Sequence, residues 1–173
     1  MGEFNRNSLQ KQTKGMKKLV RPLTNFEAVI ELIVQPPSAF STALKADGKE
    51  PPKPIKILAL IDTGFTCGLA IEQSVLEGWG LKIRNFNRVS LPREEGRLYS
   101  SYAWEADVAI KFLDASPKGE NVLIDPIPAT ILEFVADDNV KAIIGQELLQ
   151  TAIFVYNGPK GNFSLEFSKR FII

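Results

Sequence analysis

The sequence holds no histidine, and one cysteine, Cys67, among 173 residues. Without histidine, the Ser-His-Asp and Cys-His catalytic systems and every His-ligated metal site are excluded. A single cysteine excludes an intrachain disulfide, a four-cysteine zinc site and a CxxC redox pair. Charge of one sign is also lacking: the formal net charge is +1, so no overall field draws the chain to nucleic acid or an anionic membrane. Long apolar runs are missing too. The stretches Ile57 to Ile61 and Ala142 to Ile144 are far too short to cross a bilayer, and residues 1–25 carry no apolar segment of the secretory kind. The expectation is a cytoplasmic protein with no membrane or nucleic-acid partner, no metal and no cofactor. Acid–base chemistry near neutral pH then falls to carboxylates, or to Lys, Tyr or Cys67 in an altered environment.

What is present fits one domain: 45% of the residues are hydrophobic and 24% charged. Residues 1–22 are basic, with Arg6, Lys11, Lys14, Lys17, Lys18 and Arg21 against one acid, Glu3, and read as a solvated, disordered tail. The domain is expected over 23–173. Phe26 to Val34 reads as a strand stopped by Pro36-Pro37, and residues 38–54, rich in small residues and proline, as an exposed loop insertion. Ile55 to Ile61 fits a strand buried on both faces near its end, Leu69 to Ile71 another, and Glu72 to Gly78 a helical turn or two. Arg88 to Leu91, a turn at 92–96 and the long run Arg97 to Phe112 predict a hairpin with one extended arm. Val122 to Ile124 and Thr130 to Val135 read as separate strands. Ala142 to Ile144 reads as a strand, Gln146 to Gln150 as a short helix, and Ile153 to Phe167 as a last hairpin. Many short strands, frequent Gly and Pro turns and one or two short helices predict an all-β barrel or sandwich.

One tripeptide carries chemistry. Asp62-Thr63-Gly64 follows the apolar strand directly. An aspartate at such a strand end can share a proton. Gly64 permits a sharp turn, and the Thr63 hydroxyl can fix the loop by bonding backbone. A plain Asx turn capping a strand accounts for the same residues. Of the remaining polar or aromatic candidates, Cys67 reads as a small buried thiol, Trp79 and Trp104 as core or interface aromatics, and Asp137-Asp138-Asn139 as a solvated turn.

Farther along, Ala142-Ile143-Ile144-Gly145 leads into Gln146-Glu147-Leu148-Leu149. An apolar strand, Asp-Thr-Gly, a hairpin and then an apolar-apolar-Gly segment entering a short helix occur in that order. In this the chain resembles the retropepsin-like aspartic proteases over about residues 26–170. The stretch Asp62-Thr63-Gly64-Phe65-Thr66-Cys67-Gly68 looks most like a prokaryotic branch of them. The resemblance implies a retropepsin-like acid-protease barrel, and an aspartic endopeptidase acting on a protein or peptide substrate. No second Asp-Thr/Ser-Gly is present, so it implies a homodimer with Asp62 of each copy at the two-fold axis. Two carboxylates in contact share one proton. Asp62, Thr63 and Gly64 are then the catalytic loop. Phe65, the hairpin residues Glu94, Glu95, Gly96 and Arg97, and the segment Ile143, Ile144 and Gly145 are the substrate-binding residues implied.

The chain departs from the family pattern at several places. Phe65 stands where the viral enzymes have Ala, and Gln146 where they have Arg. The hairpin turn carries Pro92, two acids and one glycine, and 38–54 is long for this fold. A second reading is therefore a catalytically inactive barrel of the same type, acting as a binding or dimerisation module. The apolar end Arg170-Phe171-Ile172-Ile173 fits either an interfacial strand or a strand of its own barrel.

Overall fold

In the computed structural model the described residues are 16–92, 98–113, 121–133, 139–168 and 171, with backbone alone for Met16, 85–92 and 98–102. Ten strands and a few short helices are present among them. In chain order they are β1 (Met16–Pro22), β2 (Val29–Gln35), α1 (Ser38–Ala46), β3 (Ile55–Ile61), β4 (Leu69–Glu72), α2 (Gln73–Leu76), β5 (Asn85–Pro92), β6 (Leu98–Phe112), β7 (Val122–Leu132), β8 (Val140–Ile144), α3 (Gln146–Leu149), β9 (Ala152–Asn157) and β10 (Asn162–Ser168).

Six strands close into a barrel in the order β2-β3-β8-β4-β7-β6, and β6 returns to β2 through pairs such as Leu32 with Phe112 and Val34 with Ile110. β5 adds to the outside of β6 as a hairpin arm. The great length of β6 follows from this double duty. Its first half builds the hairpin with β5, and its last residues, Ala109 to Phe112, close the barrel.

Alternation places the core. Ile30, Leu32 and Val34 of β2, Ile57, Ala59 and Ile61 of β3, and Val108, Ile110 and Phe112 on β6 point inward and are buried. A second sheet, β1-β10-β9, lays Leu19, Phe163, Leu165 and Phe167 against the same core. The rings of Phe112 and Phe167 meet there at 5.0 Å.

Several expectations are corrected. Residues 1–15 lie outside the described residues, but residues 16–22, expected in the disordered tail, form β1, paired with β10 from Met16–Ser168 to Pro22–Asn162. The cationic chains hid its alternation. Leu19 is buried, Lys18 pairs with Glu166 at 2.6 Å, and the Arg21 guanidinium donates to the Leu113 carbonyl. β10 is thus the central strand of the second sheet, and Phe171 packs edge-on to Phe167, while Arg170, Ile172 and Ile173 lie outside the described residues. Residues 38–46 are a helix rather than a loop, although none of its residues is buried. Alanines and the Phe40/Leu44 spacing favour helix, Pro37 is tolerated just before it, and Gly48 at φ +72° ends it. Asp125 holds its start, accepting from the Ser38 N–H at 3.1 Å and from the Ser38 hydroxyl. β2 begins at Val29 because Asn25 and Phe26 form a turn. β3 is buried on one face only: Leu58 is exposed on the outer wall. Residues 122–132 are one strand, not two. Pro126 and Pro128 fit because β4 pairs only with Thr130–Leu132, leaving the earlier part a free edge on that side. Trp79 is buried in the core and Trp104 packs partly buried against it.

Candidate active site

β3 and β8 run parallel in the barrel wall, and their ends build the site. Ile61 lies beside Ile144, and the Asp62 N–H donates to the Ile144 carbonyl at 3.0 Å. The chain then turns: Phe65 N–H donates to the Asp62 carbonyl at 3.2 Å, and Gly64 N–H donates to Asp62 Oδ1 at 2.7 Å. A carboxylate accepting a backbone N–H two residues on is an Asx turn, so the local reading of the tripeptide is correct as geometry. Asp62 is half-buried, while Thr63 and Gly64 are exposed. No described residue is bonded to the second carboxylate oxygen.

The loop is fastened from behind by the segment after β8. Gly145 N–H donates to the Gly68 carbonyl at 2.9 Å, and Gln146 N–H to the Phe65 carbonyl at 2.8 Å. The Gln146 side chain donates through Nε2 to the Thr63 carbonyl. Gly145 is required for close approach: a Cβ there would stand 2.6 Å from Phe65 Cδ1, and nearer still to the carbonyl oxygens of Cys67 and Phe65. Gln146 thus supplies a neutral tether to the same loop.

The expected substrate-binding residues divide into three groups. Ile144 is in the main core and faces inward. Ile143 points the other way, into a small cluster with Ala70, Ala103 and Leu132, against which Phe65 packs. This cluster joins the Asp62 loop to the base of the β5–β6 hairpin. Glu94, Glu95, Gly96 and Arg97, between β5 and β6 in the sequence, lie outside the described residues, as do Asp137 and Asp138. Cys67 is free and only half-buried, bordering a cleft of about 330 Å³ with Arg84, Glu105 and Glu147.

A second cleft, of about 350 Å³, opens beside Asp62 and Thr63 and is walled by Phe26, Ile61, Phe154 and Tyr156. Phe26, Phe154 and Tyr156 were not legible as site residues. They come from a turn and from β9, distant in the chain, and no motif marks them. Among the described residues no group of three or more His, Cys, Asp or Glu side chains is placed to hold a metal, and no helix is long and apolar enough to cross a membrane. No protein-family model, characterised protein or solved structure matches the chain.

Proposed function

We propose that this chain is an aspartic endopeptidase of the retropepsin-like kind, active as a homodimer in which each copy contributes Asp62. The observation that carries this proposal is the Asp62-Thr63-Gly64 turn at the mouth of a closed barrel. Its carboxylate is held on one oxygen by the Gly64 N–H at 2.7 Å, and no described residue is bonded to the other. Supporting it is the Ile143-Ile144-Gly145 segment, which clamps that turn from behind through Gly145 and Gln146.

The chemistry needs a pair of carboxylates. Two of them about 3 Å apart cannot both ionise easily and share one proton. The ionised member takes a proton from water as it attacks the peptide carbonyl, and the protonated member donates to the carbonyl oxygen. The amine then leaves with a proton returned from the pair. Thr63 braces the two loops across the axis. The β5–β6 hairpin covers an extended peptide, which pairs as a strand. Phe65 and Ile143 pack together behind the catalytic loop and hold it in place.

Incubation of wild type and Asp62→Asn with a diverse peptide library, read by mass spectrometry across acid to neutral pH, tests this. Pepstatin-sensitive cleavage at mildly acid pH is expected for wild type. Asn cannot act as the base, so the variant loses all turnover while its circular dichroism stays unchanged. A wild-type dimer that cleaves nothing at any pH ends the proposal.

A further inference from the structure

Phe26 is the most exposed large apolar side chain among the described residues, at 87%. Single exposed apolar residues are ordinary, but this one is also held in an unfavourable backbone conformation. Thr24 and Glu27 exchange both backbone hydrogen bonds, at 3.0 and 2.8 Å, closing a two-residue turn. Its central residues, Asn25 and Phe26, have φ of 49° and 66°. Positive φ at both places is the type I′ pattern, which selects Asn then Gly. Asn25 suits its position, whereas Phe26 stands where its Cβ crowds the backbone. The turn is nonetheless fixed, because the Tyr156 hydroxyl donates to the Phe26 carbonyl at 2.9 Å. A bulky apolar residue held at positive φ costs the isolated chain stability through strain, while its exposure forgoes the gain that burial would bring, and strained residues of this kind cluster at functional sites.

The position of Phe26 indicates what covers it. It flanks the cleft that also contains Asp62 and Thr63, with Ile61, Phe154 and Tyr156 as apolar walls. We infer that Phe26 is the aromatic anchor by which a second copy of this chain docks beside Asp62. This rests on the homodimeric protease proposed above, in which one chain has half of the carboxylate pair and must meet its copy at the face carrying Asp62. Two-fold symmetry then sets the flank of one Asp62 against the flank of the other. Each copy offers on that flank a projecting ring that walls one side of a hollow of about 350 Å³, whose other walls include Ile61, Phe154 and Tyr156 with the polar Glu27, Asp62 and Thr63; a ring of the second copy seated against those apolar walls makes the contact isologous. Buried aromatic anchors of this kind dominate the energy of such interfaces.

Phe26→Gly separates an anchor from a core residue, since Gly is the residue this turn prefers. Sedimentation velocity across a dilution series is expected to show a dissociation constant raised about thirtyfold or more over wild type. Urea unfolding of the dilute variant should show a midpoint equal to or above that of the dilute wild type. Phe26→Trp, which keeps an aromatic ring, should stay dimeric. Cleavage by Phe26→Gly should vanish on dilution and return at high enzyme concentration. If Phe26→Gly dimerises as tightly as wild type, or loses fold stability, the anchor is overturned while the Asp62 chemistry stands. If wild type dimerises through Phe26 but cleaves nothing, the anchor stands and the protease proposal falls. A wild type that is monomeric at every concentration overturns both.

Discussion

Gly145→Ala tests the clamp behind the Asp62 turn most directly. The backbone at Gly145 has φ −107° and ψ −171°, which any residue adopts, so the demand for glycine is one of space alone. A methyl there would meet Phe65 Cδ1 at 2.6 Å, with the carbonyl oxygens of Phe65 and Cys67 closer still. Ordinary carbon contacts lie at about 3.5–4.0 Å, so the two segments must separate by about 1 Å. That movement strains the bonds from Gly145 N–H to Gly68 and from Gln146 N–H to Phe65, now 2.9 and 2.8 Å. Two weakened hydrogen bonds at about 1 kcal/mol each, with overpacking of about 1–3 kcal/mol, give an expected loss of about 3–5 kcal/mol. The control is Gly48→Ala. Nothing lies within 4 Å of a Cβ there, and only its φ of +72° is unfavourable, so the loss should be about 1–2 kcal/mol. Urea unfolding of both variants decides the matter through the midpoint shift at unchanged slope. A Gly145→Ala loss no greater than that of Gly48→Ala would refute the close approach. Because Ile144, the preceding residue, accepts the Asp62 N–H, the variant should also lose cleavage in any molecules that remain folded.

Two further outcomes are expected. Burial works against the charge of Glu72, but the Ser74 hydroxyl and the Lys141 ammonium, at 2.9 and 3.0 Å from its two oxygens, outweigh it and hold its carboxyl below the ordinary value of 4.5. A depressed folded-state value stabilises the fold above the unfolded value. That contribution fades as pH falls from about 4.5 through the folded value, so the acid limb of a stability–pH curve should flatten in Lys141→Met; an unchanged limb would remove Lys141 as the cause. Asp125→Ala removes the acceptor of the Ser38 N–H and hydroxyl, in a helix whose preceding residue, Pro37, has no capping side chain. A loss of about 1 kcal/mol is expected in chemical denaturation, with amide exchange speeding first in residues 38–41; exchange unchanged there would count against the cap.

Local chemistry was legible where neighbours in the chain decide it. The Ile55–Ile61 strand and the turn after it depend on contiguous residues: a run of β formers, then Asp, Thr and Gly. The same holds for the short helix after Gly145 and the hairpin at Asn157-Gly158. Errors arose where pairing at a distance overrides composition. Met16–Pro22 carries Lys17, Lys18 and Arg21 and reads as solvated chain, yet β10 supplies a full antiparallel partner and Glu166 takes up Lys18. Ser38–Ala46 looks irregular beside its prolines, yet Asp125, far along the chain, receives its first N–H. Residues 122–124 and 130–135 read as separate strands, yet pairing with β6 from Val122 to Leu132 joins 122–132 into one.

By itself the sequence determined the chemical inventory: no imidazole, one thiol, and an aspartate set between an apolar strand and a glycine. It also determined that most of the chain is β, because alternation and turn residues act over a few neighbours. Only the tertiary structure decided that β6 closes six strands into a barrel, that Ile143 and Ile144 face opposite sides of its wall, and that Gly145 must be bare of a side chain. It alone set Phe26 beside Asp62. These are contacts between segments far apart in the chain. Hydrophobic burial selects them collectively, whereas local preference depends on one residue and its neighbours, so no short stretch of sequence contains them.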